Sequence, residues 1–409
     1  MSPESSNESA PALRRRLGLP LLVLYGTGIT IGAGIYVLIG TVAGYASVYA
    51  PWSFLIAAVA MAFTVASYAE LSTRFPVSAG EAAYVKEAFH SRILSTLTGL
   101  LTVVIGIVSS AAVALGSAGY VGQFVQWPGS LIVVVIVIVL SAVAAWGILE
   151  SVLLASVFTV IEVAGLLIII VAAIGSDLPI AGAFTQPVPL DAGVLSGIAF
   201  ASLLAFFAFI GFEDLANVVE EVKVPQRDLP RAMALTLIVS ATLYILVAGI
   251  AIVAVPPAEL SQSAAPLSLV FQRVAGVSPV LISVIAIIAT LNTILAQITM
   301  AARVIYGMAR QGDLPAVLGK VDRRTKTPLI ATGIIAVLVA GLALSISLER
   351  LAESTSLGTL VVFALVNLSL LQLRYHNVPS NERHVRVPLW VPVCGFVTSV
   401  AMLGTTLFG

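Results

Sequence analysis

Eleven apolar stretches, near residues 19–45, 51–72, 92–123, 130–147, 153–175, 194–219, 232–255, 279–309, 328–347, 354–373 and 388–408, dominate this chain. A helix that crosses a bilayer needs about 20 mostly apolar residues, and each stretch is close to or above that length. Inside a bilayer the backbone finds no water to bond, so a helix that satisfies its own amides is the expected conformation. Of the 409 residues 59% are hydrophobic and 10% charged, against about 25% charged in a soluble domain. So few charges cannot cover an aqueous surface. The chain reads as an all-α, multi-pass membrane protein in contact with the lipid bilayer.

Other classes fall away on the same counts. Twenty basic residues balance twenty acidic ones, whereas a nucleic-acid partner calls for a basic face. Cys394 is the single cysteine, and His90, His376 and His384 are scattered. They supply neither a metal constellation nor a nucleophile–base pair, so no enzyme and no cofactor is expected. A channel would carry repeated pore motifs or charged rings, and neither is present.

Orientation follows from the basic residues. With the N-terminus inside, Arg14, Arg15 and Arg16 share a face with the even-numbered gaps between stretches, and this face collects 18 of the 20 Lys and Arg residues. Only Arg273 and Arg350 fall on the other side. The excess marks the cytoplasmic face, and an odd number of crossings places the C-terminus outside the cell membrane. Residues 1–17, polar at first and then basic, read as a disordered cytoplasmic tail. The arginine triplet is like a signal-peptide n-region, but the stretch behind it is too long, so a retained first helix is expected. Trp52, Trp127, Trp146 and Trp390 sit at stretch ends, where interfacial anchors belong.

Two stretches are interrupted. The first reads Leu24-Tyr-Gly-Thr-Gly-Ile-Thr-Ile-Gly-Ala-Gly-Ile-Tyr-Val, with Gly26, Gly28, Gly32 and Gly34 in nine residues. Each glycine costs about 1 kcal/mol against alanine in a helix, so the cluster is expected to unwind. Close helix packing at Gly28-xxx-Gly32 is the alternative use. The sixth reads Phe206-Phe-Ala-Phe-Ile-Gly-Phe-Glu-Asp-Leu-Ala-Asn, where Glu213 and Asp214 follow Gly211. A carboxylate at the centre of a membrane helix costs about 2.5–3.5 kcal/mol, which a broken helix beside a wet cavity removes. Asp214 fits equally well at the cytoplasmic interface with Glu220 and Glu221.

Breaks five segments apart point to an inverted repeat of five helices per half, with substrate bound where the breaks meet. The halves are then 18–175 and 194–374, followed by a cytoplasmic loop and an eleventh helix over 375–409. A half-helix N-terminus attracts a carboxylate and freed carbonyls attract an ammonium. A site with both suits a zwitterion, an amino acid.

These residues resemble a known family. Gly32-Ala-Gly-Ile-Tyr is similar to the G-(S/A)-G-I-(F/Y) signature of the amino acid–polyamine–organocation permeases. Gly211-Phe-Glu-Asp, with Glu220-Glu-Val-Lys-Val-Pro-Gln-Arg-Asp-Leu-Pro behind it, resembles the family's sixth-segment signature and the loop that follows. Asn292-Thr through Ala302-Arg-Val-Ile-Tyr-Gly-Met-Ala-Arg-Gln-Gly-Asp-Leu-Pro is a third match, and together they cover about residues 18–375. The resemblance implies the LeuT-like fold of two inverted five-helix repeats with broken helices 1 and 6. It implies that the turn at Gly32 presents the amides of Ala33 and Gly34 to the substrate α-carboxylate. It further implies that the carbonyls of Thr30, Phe207 and Ile210 receive the α-ammonium, with the Phe207 ring as an aromatic gate. From the residues alone, Phe207 beside Phe206 and Phe209 reads as core or lipid packing.

Two departures from the family touch topology and mechanism. Most members carry twelve spans, against the eleven expected here. Many place a lysine in segment five, where Phe158-Thr-Val-Ile-Glu-Val-Ala-Gly-Leu carries Glu162, the lone charge between Glu150 and Asp177. A carboxyl in apolar surroundings holds its proton more readily than one in water, which suits a carrier that loads a proton on one side and releases it on the other. Glu162 and Glu213 are therefore the proton-coupling candidates; an ionised Glu162 would leave sodium coupling open, and exchange is a further alternative. Small polar residues such as Ser109, Ser110, Asn292, Thr293 and Asn367 mark the middles of segments three, eight and ten. They favour a small or apolar neutral amino acid, while Glu213 and Asp214 keep a cationic amino acid or polyamine as the alternative. Glu70 and Glu81, assigned to the loop after segment two, have no partner within sequence reach.

Overall fold

Helices form at every apolar stretch. The computed structural model describes residues 15, 17–32, 34–76, 80–146, 152–322, 324–325, 327–378 and 384–407, with backbone alone at 152–154 and 407. In chain order the helices are α1 (Leu19–Ile31), α2 (Gly34–Ala46), α3 (Ala50–Arg74), α4 (Gly80–Phe89), α5 (Arg92–Val121), α6 (Gly129–Trp146) and α7 (Val152–Ile174). There follow α8 (Gly182–Thr185), α9 (Ala192–Phe207), α10 (Asp214–Asn217), α11 (Pro225–Ala254), α12 (Pro257–Gln262) and α13 (Pro266–Ala275). The last four are α14 (Val280–Arg310), α15 (Leu329–Ser345), α16 (Leu348–Tyr375) and α17 (Trp390–Gly404). Among the described residues no strand forms, and Leu17 and Val222 make an isolated parallel bridge.

Helices overrun their apolar stretches where charges flank them. α11 starts at Pro225 and α16 at Leu348, because Arg227, Asp228, Arg231, Glu349 and Arg350 occupy first turns that hydropathy cannot register. Among the described residues seven helical runs are long and apolar enough to cross a membrane: Gly34–Arg74, Arg92–Val121, Gly129–Trp146, Ala155–Ile174, Pro225–Ala254, Val280–Arg310 and Leu348–Tyr375. Four shorter apolar helices accompany them: Leu19–Ile31, Ala192–Phe207, Leu329–Ser345 and Trp390–Gly404. Both interrupted stretches are short for the same reason, since each is divided by its break.

The connecting segments sort into two groups by contact. Leu17 N donates to the Glu221 carbonyl (3.0 Å) and Lys223 N to the Leu17 carbonyl (2.9 Å). Arg92 pairs with Asp313 at 2.7 Å, Arg74 donates to the Val378 carbonyl, and Thr327 Oγ1 to the Ala145 carbonyl. These contacts join the N-terminus to the gap after stretch six, the gap after stretch two to those after eight and ten, and the gap after eight to the end of stretch four. The end of stretch one and the gap after it touch the gaps after nine, five and seven: Tyr45 meets Glu349, Tyr49 Oη donates to the Pro187 carbonyl (3.3 Å), and Gly40 abuts Leu260.

In the interior, α5 packs on α14, α3 on α11, and α6 on α15. α1 lies against α7 and α11, and α9 against α16 and α3. α2 lies on α9, α7 touches α14 and α11, and α16 touches α5 and α3.

Candidate functional site

The first break is short. Gly32 N still donates to the Gly28 carbonyl (3.0 Å), and α2 begins at Gly34; Ala33, expected to bind the carboxylate, lies outside the described residues. Unwinding of the whole glycine cluster is not what happens. Gly26 and Gly28 remain in α1 because neighbouring helices need the space a side chain would take. A Cβ on Gly28 would overlap Thr159 of α7, whose hydroxyl donates to the Leu24 carbonyl (3.0 Å), and one on Gly26 would meet Thr236 and Leu215. Gly32 faces the Thr293 hydroxyl of α14, and Gly34 lies against the backbone of Ala208.

A longer break separates α9 from α10. Ala208, Phe209 and Ile210 donate their amides three residues back, to Ala205, Phe206 and Phe207, so the last turn of α9 tightens before the chain leaves it. Gly211 has φ +124°, a backbone conformation open to glycine and strained for other residues. The half-buried Glu213 folds back on this turn, its Oε2 accepting the Gly211 amide at 2.8 Å. Its acid therefore caps the break. Asp214 begins α10, is buried, and accepts from Asn217 Nδ2 at 3.3 Å.

One hydroxyl ties the two breaks together. Tyr244 Oη on α11 lies 2.8 Å from the Thr30 carbonyl and 2.9 Å from that of Ala208. With one proton, it donates to one of them at a time. The Thr30 carbonyl thus meets Tyr244, and the Phe207 carbonyl accepts from Ile210 N at 3.2 Å. The Phe207 ring is buried at the end of α9, while Ile210 is half-buried.

Glu162 is fully buried on α7. Asn292 Nδ2 donates to its Oε1 (3.1 Å), and its Oε2 has no partner among the described residues. The Tyr36 hydroxyl donates to the Glu162 main-chain carbonyl (2.7 Å), and that of Tyr120 to the Tyr36 carbonyl (2.6 Å), linking α5, α2 and α7. Of the small polar residues, Thr293 and Asn292 stand beside Gly32 and Glu162. Gln297 Nε2 donates to Ser109 Oγ (2.9 Å) and its Oε1 accepts from Ser110 (3.2 Å), which joins α5 to α14. Asn367 is elsewhere, between α16 and α3, bonded to Thr64 Oγ1 (3.0 Å) and Ser67 Oγ (2.7 Å).

Both acids expected to be without partners are paired. Glu70 lies in α3, fully buried, and forms an ion pair with Arg374 of α16; Arg374 Nε meets its Oε1 at 2.9 Å, and the Val387 amide donates to Oε2 at 2.8 Å. Glu81 lies in α4, where it accepts from the Tyr68 hydroxyl (2.9 Å). Burial pushes the Glu81 carboxyl above its ordinary range. The Tyr68 ring stands edge-on to Phe212 and Phe363 (centroids 5.3 and 5.5 Å), so α4 is docked beside the second break. Tyr244, Tyr68 and Arg374 carry no local signal in the sequence, since each partner lies on another helix.

A bundle of apolar helices with two interrupted segments in contact defines a multi-pass membrane protein. The chain belongs to the amino acid permease family, whose sequence profile matches residues 17–409. It is 33% identical to a vacuolar cationic amino acid transporter 2 of Arabidopsis thaliana, over 96% of this chain and 66% of that protein. Identity is 30% to a branched-chain amino acid permease of Bacillus subtilis (strain 168), over 93% of this chain and 85% of the relative. A methylthioribose transporter of the same strain is 29% identical over 97% and 88%. The chain spans about two thirds of the length of the plant relatives (64–66%). At nearly equal identity the three names differ in cargo, so likeness alone selects no substrate.

Proposed function

We propose that this protein is a secondary active transporter that takes up a small or apolar neutral amino acid with a proton across the cell membrane, by alternating access. One observation carries the reading: the interrupted segments meet, Gly34 against Ala208, with Tyr244 reaching a carbonyl of each. The amides of Ala33 and Gly34 then hold the α-carboxylate. The carbonyls of Thr30, Phe207 and Ile210 take the α-ammonium; a carbonyl has two lone pairs, so the bonds at Thr30 and Phe207 leave one each. Phe207 closes over the substrate.

Packing supports two inverted five-helix repeats, 18–175 and 194–374, after a cytoplasmic tail (1–17) and before a loop and an eleventh span (375–409). Exchanging each helix for the one five segments on maps the contacts onto one another. α1 with α11 becomes α9 with α3, α1 with α7 becomes α9 with α16, and α7 with α14 becomes α16 with α5. The pairs α3–α11, α5–α14 and α6–α15 map onto themselves. Two groups of connecting segments fit eleven crossings with the N-terminus cytoplasmic and the C-terminus outside.

Glu162 and Glu213 are the proton-coupling candidates. Glu162 is the stronger, because one of its oxygens is unoccupied while Glu213 is engaged with Gly211. An inward proton contributes about 2.3 kcal/mol per 100 mV. A cationic amino acid or polyamine is the second reading, favoured by Glu81, Glu213 and Asp214 gathered at the second break. Uptake by purified protein in liposomes, across a panel of amino acids and polyamines, is expected to rise with an inward pH gradient for a small or apolar neutral amino acid. Uptake driven by sodium alone, or exchange alone, would replace proton coupling. Full pH-driven uptake by both Glu162→Gln and Glu213→Gln removes both candidates.

A further inference from the structure

Ten buried side-chain polar atoms have no hydrogen-bond partner among the described residues. Five of them lie on three helices that pack on one another: Thr27 Oγ1 and Thr30 Oγ1 on α1, Glu162 Oε2 on α7, and Thr236 Oγ1 and Ser240 Oγ on α11. All five residues are at most 3% exposed.

Orphaned hydroxyls in helices are uncommon for a simple reason. A serine or threonine inside a helix satisfies itself by donating to the carbonyl four residues back. Thr242 of α11 does so to Ile238 (2.8 Å), Thr98 of α5 to Leu94 (2.8 Å), and Thr293 of α14 to Ala289 (3.1 Å). The four hydroxyls on α1 and α11 do not. They are also aligned. Thr236, Ser240 and Tyr244 recur every four residues and so share a face. That face looks onto α1 along its length: Thr236 Oγ1 is 2.7 Å from where a Cβ on Gly26 would stand, and Tyr244 Oη reaches the Thr30 carbonyl. In the other half, the facing side chain Asn367 is fully paired, to Thr64, Ser67 and the Phe363 carbonyl (2.8 Å). Burial in a bundle thus leaves some polar groups paired, as here, and others not, as at Ser356 of α16 and Ser141 of α6.

Buried water bonds to polar groups that the protein leaves without partners. We infer that the seam between α1, α7 and α11 is a water-filled track that carries protons between Glu162 and the cytoplasmic end of α11. The inference rests on the proton-coupled reading above. Protonated Glu162 gives its proton to the first water; each water or hydroxyl along the seam accepts one proton and passes on another. A hydronium leaves at the end where Leu17 pairs with Lys223, and Glu162 is left as a carboxylate. The titratable groups around the track are Tyr36 on α2, Tyr244 on α11 and, at its cytoplasmic end, Glu221 and Lys223, whose backbones pair with Leu17, and Asp228, which Arg227 pairs at 2.7 Å. From α14 the neighbour is the neutral Asn292.

The test is a double variant, Thr236→Val with Ser240→Ala, reconstituted in liposomes with an entrapped pH dye. Substrate counterflow, which needs no net proton movement, is measured beside pH-driven uptake and substrate-dependent acidification. Expected is a fall of about tenfold in pH-driven uptake and acidification, with counterflow within about twofold of wild type and Thr236→Ser close to wild type in both. A pH-driven wild type whose double variant is equally fast overturns the track and leaves the coupling intact. Loss of counterflow as well, unrescued by serine, marks a packing role and also overturns it. A wild type that exchanges substrate but ignores the pH gradient overturns the coupling reading, and the track with it.

Discussion

The two breaks interrupt their helices by different means. The first falls at Gly32, between α1 and α2, and is held from outside: Thr293 of α14 occupies the space beside Gly32, and Tyr244 of α11 engages the Thr30 carbonyl. The second runs from Ala208 to Glu213 and is held largely by its own residues, through the tightened turn after Phe207, the positive φ of Gly211, and the Glu213 carboxyl on the Gly211 amide. The short break thus depends on side chains of other helices, whereas the long one carries its own cap. On this comparison, α1 is the element whose position the surrounding helices control.

Four measurements break or sharpen the contrast. The largest effect is expected where the breaks touch. Gly34→Val drives a side chain into the Ala208 backbone, which cannot rotate away, and should cost about 3 kcal/mol or more and abolish uptake. Wild-type melting and uptake would mean that the two segments do not meet in the working protein. Next, Gly211→Ala forces a Cβ onto a positive φ and against Ile29, at about 1–3 kcal/mol. It should lower the melting temperature without changing the order of substrate preference. An unchanged melting temperature would deny the second break its local strain.

Tyr244→Phe removes one neutral hydrogen bond, worth about 1 kcal/mol, and should raise KM about fivefold in concentration-dependent uptake. An unaltered KM would free the first break from its outside support. The smallest effect concerns Glu81 beside the second break. Its folded-state pKa is raised by burial, so the fold prefers the protonated acid. The stability this gives is complete below the ordinary carboxylate range and is lost as pH rises through the raised value. The melting temperature should decline over that window, and Glu81→Gln should flatten the decline; parallel curves for wild type and variant would refute the assignment.

Much of the fold was legible because a bilayer leaves the chain few choices. Each apolar stretch had to become a helix, and bounds drifted only where charged first turns extended past the apolar layer, as at Pro225 and Leu348. The positions of both breaks were visible as glycines and misplaced acids. Their extent was not. Gly26, Gly28 and Gly32 have the same composition signal, and each makes room for a threonine from a helix more than a hundred residues away, Thr236, Thr159 and Thr293, yet α1 runs through the first two and ends before the third. Glu213 was legible as an anomaly, but its use as a cap on Gly211 needed the turn to be seen.

What the sequence determined by itself is therefore local: helices, the two weak points, and Glu162 as a charge with no neighbour in the chain. Membership of the amino acid permease family agrees with that reading. Tertiary structure alone decided which polar groups find partners. Glu70 meets Arg374 and Glu81 meets Tyr68, while Thr236, Ser240 and one oxygen of Glu162 meet none among the described residues. The physical reason is reach: helix formation is settled within four residues, whereas the pairing of a buried polar group depends on which other helix lies within about 3 Å of it.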